Sequence, residues 1–134
     1  MSKSFNDIRK EAENDLSLDF ENLDSESLSI PQKYQKYLDY FRAYSIAYKQ
    51  KEKERDSKYR ELYEYYRDHY SVKLKNTEIE YYVKSEEEYQ KISSELHKLK
   101  TNLEYIEGIL KQISQLNFQI KNAIEWQKFK AGLF

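Results

Sequence analysis

At 134 residues the chain is long enough for one domain, and 35% charged and 16% aromatic residues with two glycines and one proline leave few turns for a sheet protein. It holds no cysteine, which excludes disulfides and thiolate zinc sites and is compatible with a reducing compartment. The net charge of −1 hides a polarised chain: residues 1–30 carry net −5, residues 31–75 net +5 and residues 76–134 net −1.

Ser4 and Asp7 offer an N-cap, and Phe5, Ile8 and Ala12 share one helical face, so a short helix to about Asp15 is expected. Leu16 to Leu28 is acidic and interrupted by Ser, Asp and Asn. Its apolar residues Leu18, Phe20, Leu23 and Leu28 read as pegs on an arm, either draped over its own domain or clasping a neighbouring subunit. Ser29-Ile30-Pro31 reads as a helix start, with Pro tolerated in the first turn. The helix that follows, to about His69, opens with a clean seam of Tyr34, Tyr37, Phe41, Tyr44 and Tyr48. In the same register come Lys51, Arg55 and Lys58, and then Leu62. A core seam that turns cationic has left the core, so the run KQKEKERDSKYR is expected to face solvent, a pore or a polyanion.

Ten of the fourteen tyrosines lie between Tyr34 and Tyr70. Tyrosine has a stacking face and a polar tip. Interleaved with cations it suits single-stranded nucleic acid, the cations tracking phosphates and the rings stacking on bases without reading sequence. The competing reading is that the rings pack helices and the charges form a solvated face. Glu52, Glu54 and Asp56 favour that reading through i,i+4 pairs such as Glu54–Lys58 and Asp56–Arg60. Ser71 to Asn76 is a short connection. Thr77–Glu80 and Ser85–Glu88 each fit a capping box, predicting a short helix from Glu78 to about Val83 and a corner near Lys84.

From Tyr89 the residues Ile92, Leu96, Leu99, Leu103, Ile106, Leu110, Ile113, Asn117, Ile120 and Ile124 alternate by threes and fours, a heptad seam. Asn117 is its one polar member, placed to fix register or to cap a helix restarting after a break. The stripe widens through Ile109, Leu116 and Ala123, and a second face appears with Phe118, Trp126 and Phe129. A helix from Ser85 to Lys130 is about 68 Å long if unbroken, against a radius of gyration of about 14 Å for a compact chain of this length. It is therefore expected both to bend or break near 114–117 and to reach other subunits. Leu103, Ile106, Leu110, Ile113, Ile120, Ile124 and Trp126 are the expected oligomerisation residues, with Ile113→Asp or Ile120→Asp yielding smaller species.

His69 and His97 stand alone, His69 beside Asp68 as a surface pair. No phosphate loop or zinc motif is present. No enzymatic activity, cofactor or metal is expected. No apolar run approaches the roughly 18 residues of a membrane span, and MSKSFNDIRK has no leader-like apolar core, so a soluble, untargeted protein without a membrane partner is expected. The reading is all-α, one helical domain over 1–134, with an acidic N-terminal arm (1–30), a basic tyrosine-rich helix (31–75) and oligomerisation helices (76–134).

Two stretches carry a family resemblance: ESLSIPQKYQKY, Glu26 to Tyr37, and FQIKNAIEWQKFKAG, Phe118 to Gly132. With Tyr65-Tyr66 after a basic helix they resemble the UvsY family of tailed phages, in order over nearly the whole chain. The resemblance implies a helical recombination mediator active in phage DNA recombination, repair and replication, in the cytoplasm of the infected host cell. It implies rings of six or seven subunits that bind single-stranded DNA without sequence preference. Such rings help load a RecA-like recombinase onto DNA coated by single-strand DNA-binding protein. The family's DNA-contacting basic residues precede the tyrosine doublet, which here points to Lys58 and Arg60. Relatives often follow the doublet with a small residue and Gly, where this chain has Arg67-Asp68-His69, so Arg55 and Arg67 join them. The DNA-binding candidates are Lys51, Arg55, Lys58, Arg60, Tyr65, Tyr66 and Arg67. The alternative is a structural coiled-coil assembly protein without nucleic-acid binding.

Overall fold

A computed structural model describes residues 3–132. Those residues form four helices and no strand: α1 (Phe5–Asp15), α2 (Leu23–Asp68), α3 (Asn76–Ser85) and α4 (Glu87–Lys130). The all-α class is as the composition requires. Ser4 caps α1 as expected, its Oγ accepting from the Asp7 N–H at 3.2 Å.

The start of α2 departs from the expectation. The helix begins at Leu23 and runs through Pro31. Proline removes one backbone donor and disfavours a helix interior. Two things outweigh it here. Leu23, Ile30 and Tyr37 repeat every seven residues and are all buried, so the apolar stripe extends upstream of the proline. Pro31 itself is exposed, as is Ser27, whose carbonyl loses its partner on a face open to water. A turn built on Asp19 delivers the chain to Leu23. Its carboxylate accepts from the Glu21 N–H at 3.0 Å and from Asn22 Nδ2 at 2.7 Å, and these bonds hold its carboxyl below the usual range. Of the four expected pegs, Leu23 is buried, Leu18 half-buried, and Phe20 and Leu28 exposed.

The corner near Lys84 is present, with Glu86 in extended conformation between α3 and α4. The caps are shifted. Glu78 Oε1 accepts from the Lys75 N–H at 3.2 Å, so α3 is capped from Lys75 rather than Thr77, and Ser85 closes α3 rather than opening α4. No break interrupts α4 near Asn117. Ser114 is absorbed into the helix, its Oγ returning to the Leu110 carbonyl at 2.9 Å.

The chain divides into two compact units, residues 3–42 with 104–132 and residues 43–103. The core of the first joins Ile8 and Ala12 of α1, Leu23, Ile30 and Tyr37 of α2, and Ile106, Ile109, Leu110, Ile113, Leu116 and Ile120 of α4. The α4 seam holds through Ile113. Then Leu116 is buried and Asn117 exposed, so Asn117 is neither a core residue nor a restarting cap. A straight α-helix drifts by about 20° per heptad against a 3.5-residue repeat, which moves the buried line onto the residues flanking the seam. Tyr37 is fully buried, and its hydroxyl donates to Asp15 Oδ2 at 2.7 Å, tying α2 to α1. Burial and that bond both push the phenol up. Tyr37→Phe keeps the ring and removes a bond to a charged acceptor, so a loss of about 1.5–3 kcal/mol in urea unfolding is expected. An unchanged midpoint would show that the bond contributes nothing net.

In the second unit Tyr44, Ile79, Val83, Ile92 and Leu96 are buried. Its apolar core is slight, and tyrosine rings and ion pairs make up the rest of the packing.

Candidate nucleic-acid interface

At about 100° per residue, Lys51, Arg55, Lys58 and Leu62 fall on one stripe of α2. That stripe faces α4 of the same unit. Lys51 Nζ donates to Glu95 Oε2 at 2.6 Å, and Lys58 Nζ pairs with Glu88 Oε2 at 2.7 Å. One heptad forward on α2 meets one heptad back on α4, as antiparallel packing requires. Each lysine also pairs three residues on, Lys51 with Glu54 at 3.0 Å and Lys58 with Glu61 at 3.2 Å. These replace the expected Glu54–Lys58 pair. Asp56 pairs with Arg55 at 3.1 Å rather than with Arg60. Only 24% and 23% of the two lysine side chains is exposed, so their stems cover the helix contact while the ammonium groups reach carboxylates. The cationic seam therefore stays turned toward the chain's own acids. Each bond holds its lysine up, Lys51 through Glu95 and then Glu54, Lys58 through Glu88 and then Glu61. The same bonds hold the Glu88 and Glu95 carboxyls down.

Arg60 and Arg67 lie roughly 160–180° around α2 from those lysines. With Tyr59, Tyr63, Asp56 and Glu64 they line one open groove. The two rings stack, centroids 6.0 Å apart and planes at 29°. Tyr63 is held from α3, its hydroxyl 3.0 Å from Asn76 Oδ1. Arg67 donates twice to Asp68, each bond 2.8 Å, and these bonds raise it further. Arg60 makes no ion pair among the described residues. Guanidinium groups flanking stacked rings match a single strand, in which phosphates and bases alternate.

The seven candidates thus separate. Arg60 and Arg67 share the open groove, Lys51 and Lys58 share the face paired to α4, and Arg55 is held by its neighbour. Tyr65 is half exposed and meets Tyr66 edge-on, centroids 5.2 Å apart. Tyr66 stacks on Tyr82 at 5.4 Å and donates to Glu86, a bond that with burial pushes its phenol up to about 12. Tyr59 and Tyr63 were not among the candidates. The signal for them is the helical spacing of Tyr59, Arg60, Tyr63 and Arg67, which the Tyr65-Tyr66 doublet overshadows in the sequence. Asp68 takes its hydrogen bonds from Arg67, with His69 adding a weaker electrostatic pull in the same direction; the His69 ring lies 6.4 Å from Tyr65.

Of the oligomerisation candidates, Ile106, Leu110, Ile113 and Ile120 are buried within the chain itself, and Leu103 is half-buried. Ile124 and Trp126 are exposed, as are Phe118 and Phe129. Trp126 stacks on Phe129 at 5.5 Å and 13°, with the Lys130 ammonium 5.6 Å from its ring centre.

A family model described as recombination, repair and ssDNA binding protein UvsY matches residues 11–133. The chain belongs to the UvsY family. Membership places it among recombination, repair and single-stranded DNA binding proteins. Two crystal structures of the bacteriophage T4 recombination mediator protein UvsY share its fold at 19% identity. One covers 96% of this chain and 99% of that chain with a TM-score of 0.84, the other 96% and 98% with 0.86. No curated protein matches the chain. At that identity the UvsY likeness carries the fold, and the roles of side chains rest on their surroundings here. No helix of the described residues is long and apolar enough to cross a membrane.

Proposed function

We propose that the protein is a recombination mediator that binds single-stranded DNA without sequence preference and helps load a RecA-like recombinase onto DNA coated by single-strand DNA-binding protein. The observation that carries this is the Arg60–Tyr63–Arg67 groove. In a chain of a single-stranded DNA binding family, it sets guanidinium groups and stacked rings on the α2 face that the α4 ion pairs leave free. Phosphates neutralised there release condensed counterions, and bases stack on the rings. The exposed Ile124, Trp126 and Phe129 hold six or seven copies together, and linked weak sites gain avidity by raising effective concentration. Loading follows from differential affinity for the states of the strand, since equal binding to all of them shifts nothing. The mechanism involves no bond chemistry and no cofactor, and operates in the cytoplasm of the infected host cell.

The test is recombinase ATPase activity on single-stranded DNA already coated by the cognate binding protein. Wild-type protein should shorten the lag. Trp126→Asp with Phe129→Asp, at exposed positions, should reduce the assembled mass in light scattering, keep the helical signal and lose the shortening. Equal loading by the disassembled protein would sink the avidity mechanism.

A second reading, a structural assembly protein, is favoured by one observation: Lys51, Arg55, Lys58 and Arg67 are all paired to acids. Titrating an unstructured oligonucleotide by fluorescence anisotropy separates the two.

If the α4 acids compete with phosphate for Lys51 and Lys58, Glu88→Gln with Glu95→Gln should tighten binding. The salt slope should then steepen by up to about 1.4 log units per log salt, about 0.7 per added contact. Both carboxyls are held below their ordinary value. Their pairs therefore contribute above the ordinary carboxylate range and are lost as pH falls through the lowered folded value. Wild-type binding should approach that of the double variant on the acid side. Unchanged affinity in the variant would show that the lysines stay with the helix packing.

A further inference from the structure

Tyr63 stands in the middle of the Arg60–Arg67 groove, three residues after one arginine and four before the other. At 1.5 Å per residue the arginines are roughly 10 Å apart along the α2 axis, with the ring between them. Helix α2 alone does not fix that ring. A tyrosine on a helix face exchanges among rotamers, and a base that stacks on it must first arrest it. Two contacts from other helices of the same unit arrest it beforehand. Tyr59, stacked on Tyr63, leans in turn on Tyr89 of α4, centroids 6.0 Å apart. The Tyr63 hydroxyl donates to Asn76 Oδ1 of α3 at 3.0 Å, across 13 residues of chain. An asparagine at a helix start ordinarily accepts from the N–H groups of its own first turn. Here α3 is capped from Lys75, whose N–H goes to Glu78, and the Asn76 amide reaches back to α2. Asn76 is exposed, so water could serve its Oδ1 equally well and the bond adds little net stability. What the bond does fix is the direction of the Tyr63 ring.

We infer that Asn76 is a positioning residue for the single-strand groove: by holding the Tyr63 hydroxyl it keeps the Tyr59–Tyr63 pair ordered, so that an unpaired base stacks on a platform already in place. Ordering a side chain in advance removes a cost that binding would otherwise carry. Asn76 touches no part of the strand in this arrangement and acts only through Tyr63. The inference rests on the single-strand reading above. To what sets the groove's affinity it adds a residue of α3, outside the helix that supplies every side chain lining the groove.

The link has two ends, and each can be cut separately. Asn76→Ala removes the acceptor, and Tyr63→Phe removes the donor while keeping the ring. One rotamer-rich side chain left to be ordered on binding reads as about two- to tenfold in affinity. Each variant should therefore weaken binding of an unstructured oligonucleotide by about that factor, at an unchanged salt slope because no phosphate contact is lost. The two substitutions together should cost no more than either alone, since they break one bond. On an abasic oligonucleotide of the same length both variants should match wild type, and their thermal midpoints should hardly move. Arg60→Ala with Arg67→Ala serves as the control that flattens the slope. If that control loses affinity while Asn76→Ala and Tyr63→Phe bind as wild type, Asn76 has no positioning role and the single-strand reading stands. If wild type binds no oligonucleotide, both fall. Equal losses on normal and abasic strands, or losses that add in the double variant, also overturn the role, because the residues would then act through the fold or independently of each other.

Discussion

Ile113→Asp is expected to unfold the unit that contains it rather than to separate subunits. Ile113 is fully buried among α4 neighbours that are themselves buried, Ile109, Leu110 and Leu116. Removing a buried Ile side chain costs about 2–5 kcal/mol. Burying a carboxylate in its place adds several kcal/mol more, because no cation lies in that core to pair with it. The total is comparable to the whole stability of a typical domain, about 5–15 kcal/mol. Far-ultraviolet circular dichroism should show lost helix at ambient temperature, and light scattering alone would misreport that loss as dissociation. Ile120, 4% exposed, should behave similarly. A folded Ile113→Asp protein of wild-type helicity and lower mass would overturn this and return Ile113 to the subunit interface. The probes of assembly are Trp126 and Phe129, which are more than half exposed within the chain.

Arg60→Ala with Arg67→Ala should cost on the order of a hundredfold in affinity for single-stranded DNA, two charge-assisted contacts at about 1.5–3 kcal/mol each less what neighbouring cations recover. The salt slope should flatten by about 1.4 log units per log salt, two contacts at about 0.7. The loss should be the same on every sequence, since phosphate contacts position a strand without reading it. Lys58→Ala should weaken binding less, because Lys58 is mostly covered and reaches Glu88 on α4 as well as Glu61, whereas Arg67 is more than half exposed and paired only with its neighbour Asp68. Both arginines are surface groups on a helix whose packing lies on its other side, so thermal stability should hardly move. The reverse order, Lys58→Ala severe and the arginine pair mild, would place the strand on the α4-facing side with the ion pairs opening to receive it.

The heptad of α4 was legible in the chain because burial on a helix needs only a period, and Ile92, Leu96, Ile106, Leu110, Ile113 and Ile120 are buried as that period requires. Ser4 capping α1 was legible for a similar reason: a cap is a contact within four residues. Pro31 misled because a local penalty can be outweighed by distant burial, here of Leu23 and Ile30 on one stripe. Asn117 misled because a strict 3.5-residue count ignores the drift of a straight helix.

The sequence by itself determined the all-α class, the helical faces and the tyrosine-rich basic segment, since composition and periodicity are local properties of the chain. Two matters belonged to the tertiary structure. One was which apolar residues the chain consumes in its own core, Ile113 and Ile120, and which it leaves exposed, Ile124 and Trp126. The other was which cations remain free. Lys51 and Lys58 look the same as Arg60 in a list of charges. Only the approach of Glu95 and Glu88 on α4, 44 and 30 residues further along the chain, sets them apart. For Lys51 and Lys58 the pairing that turns the charge away from solvent is made by residues distant in sequence, which no local pattern reveals.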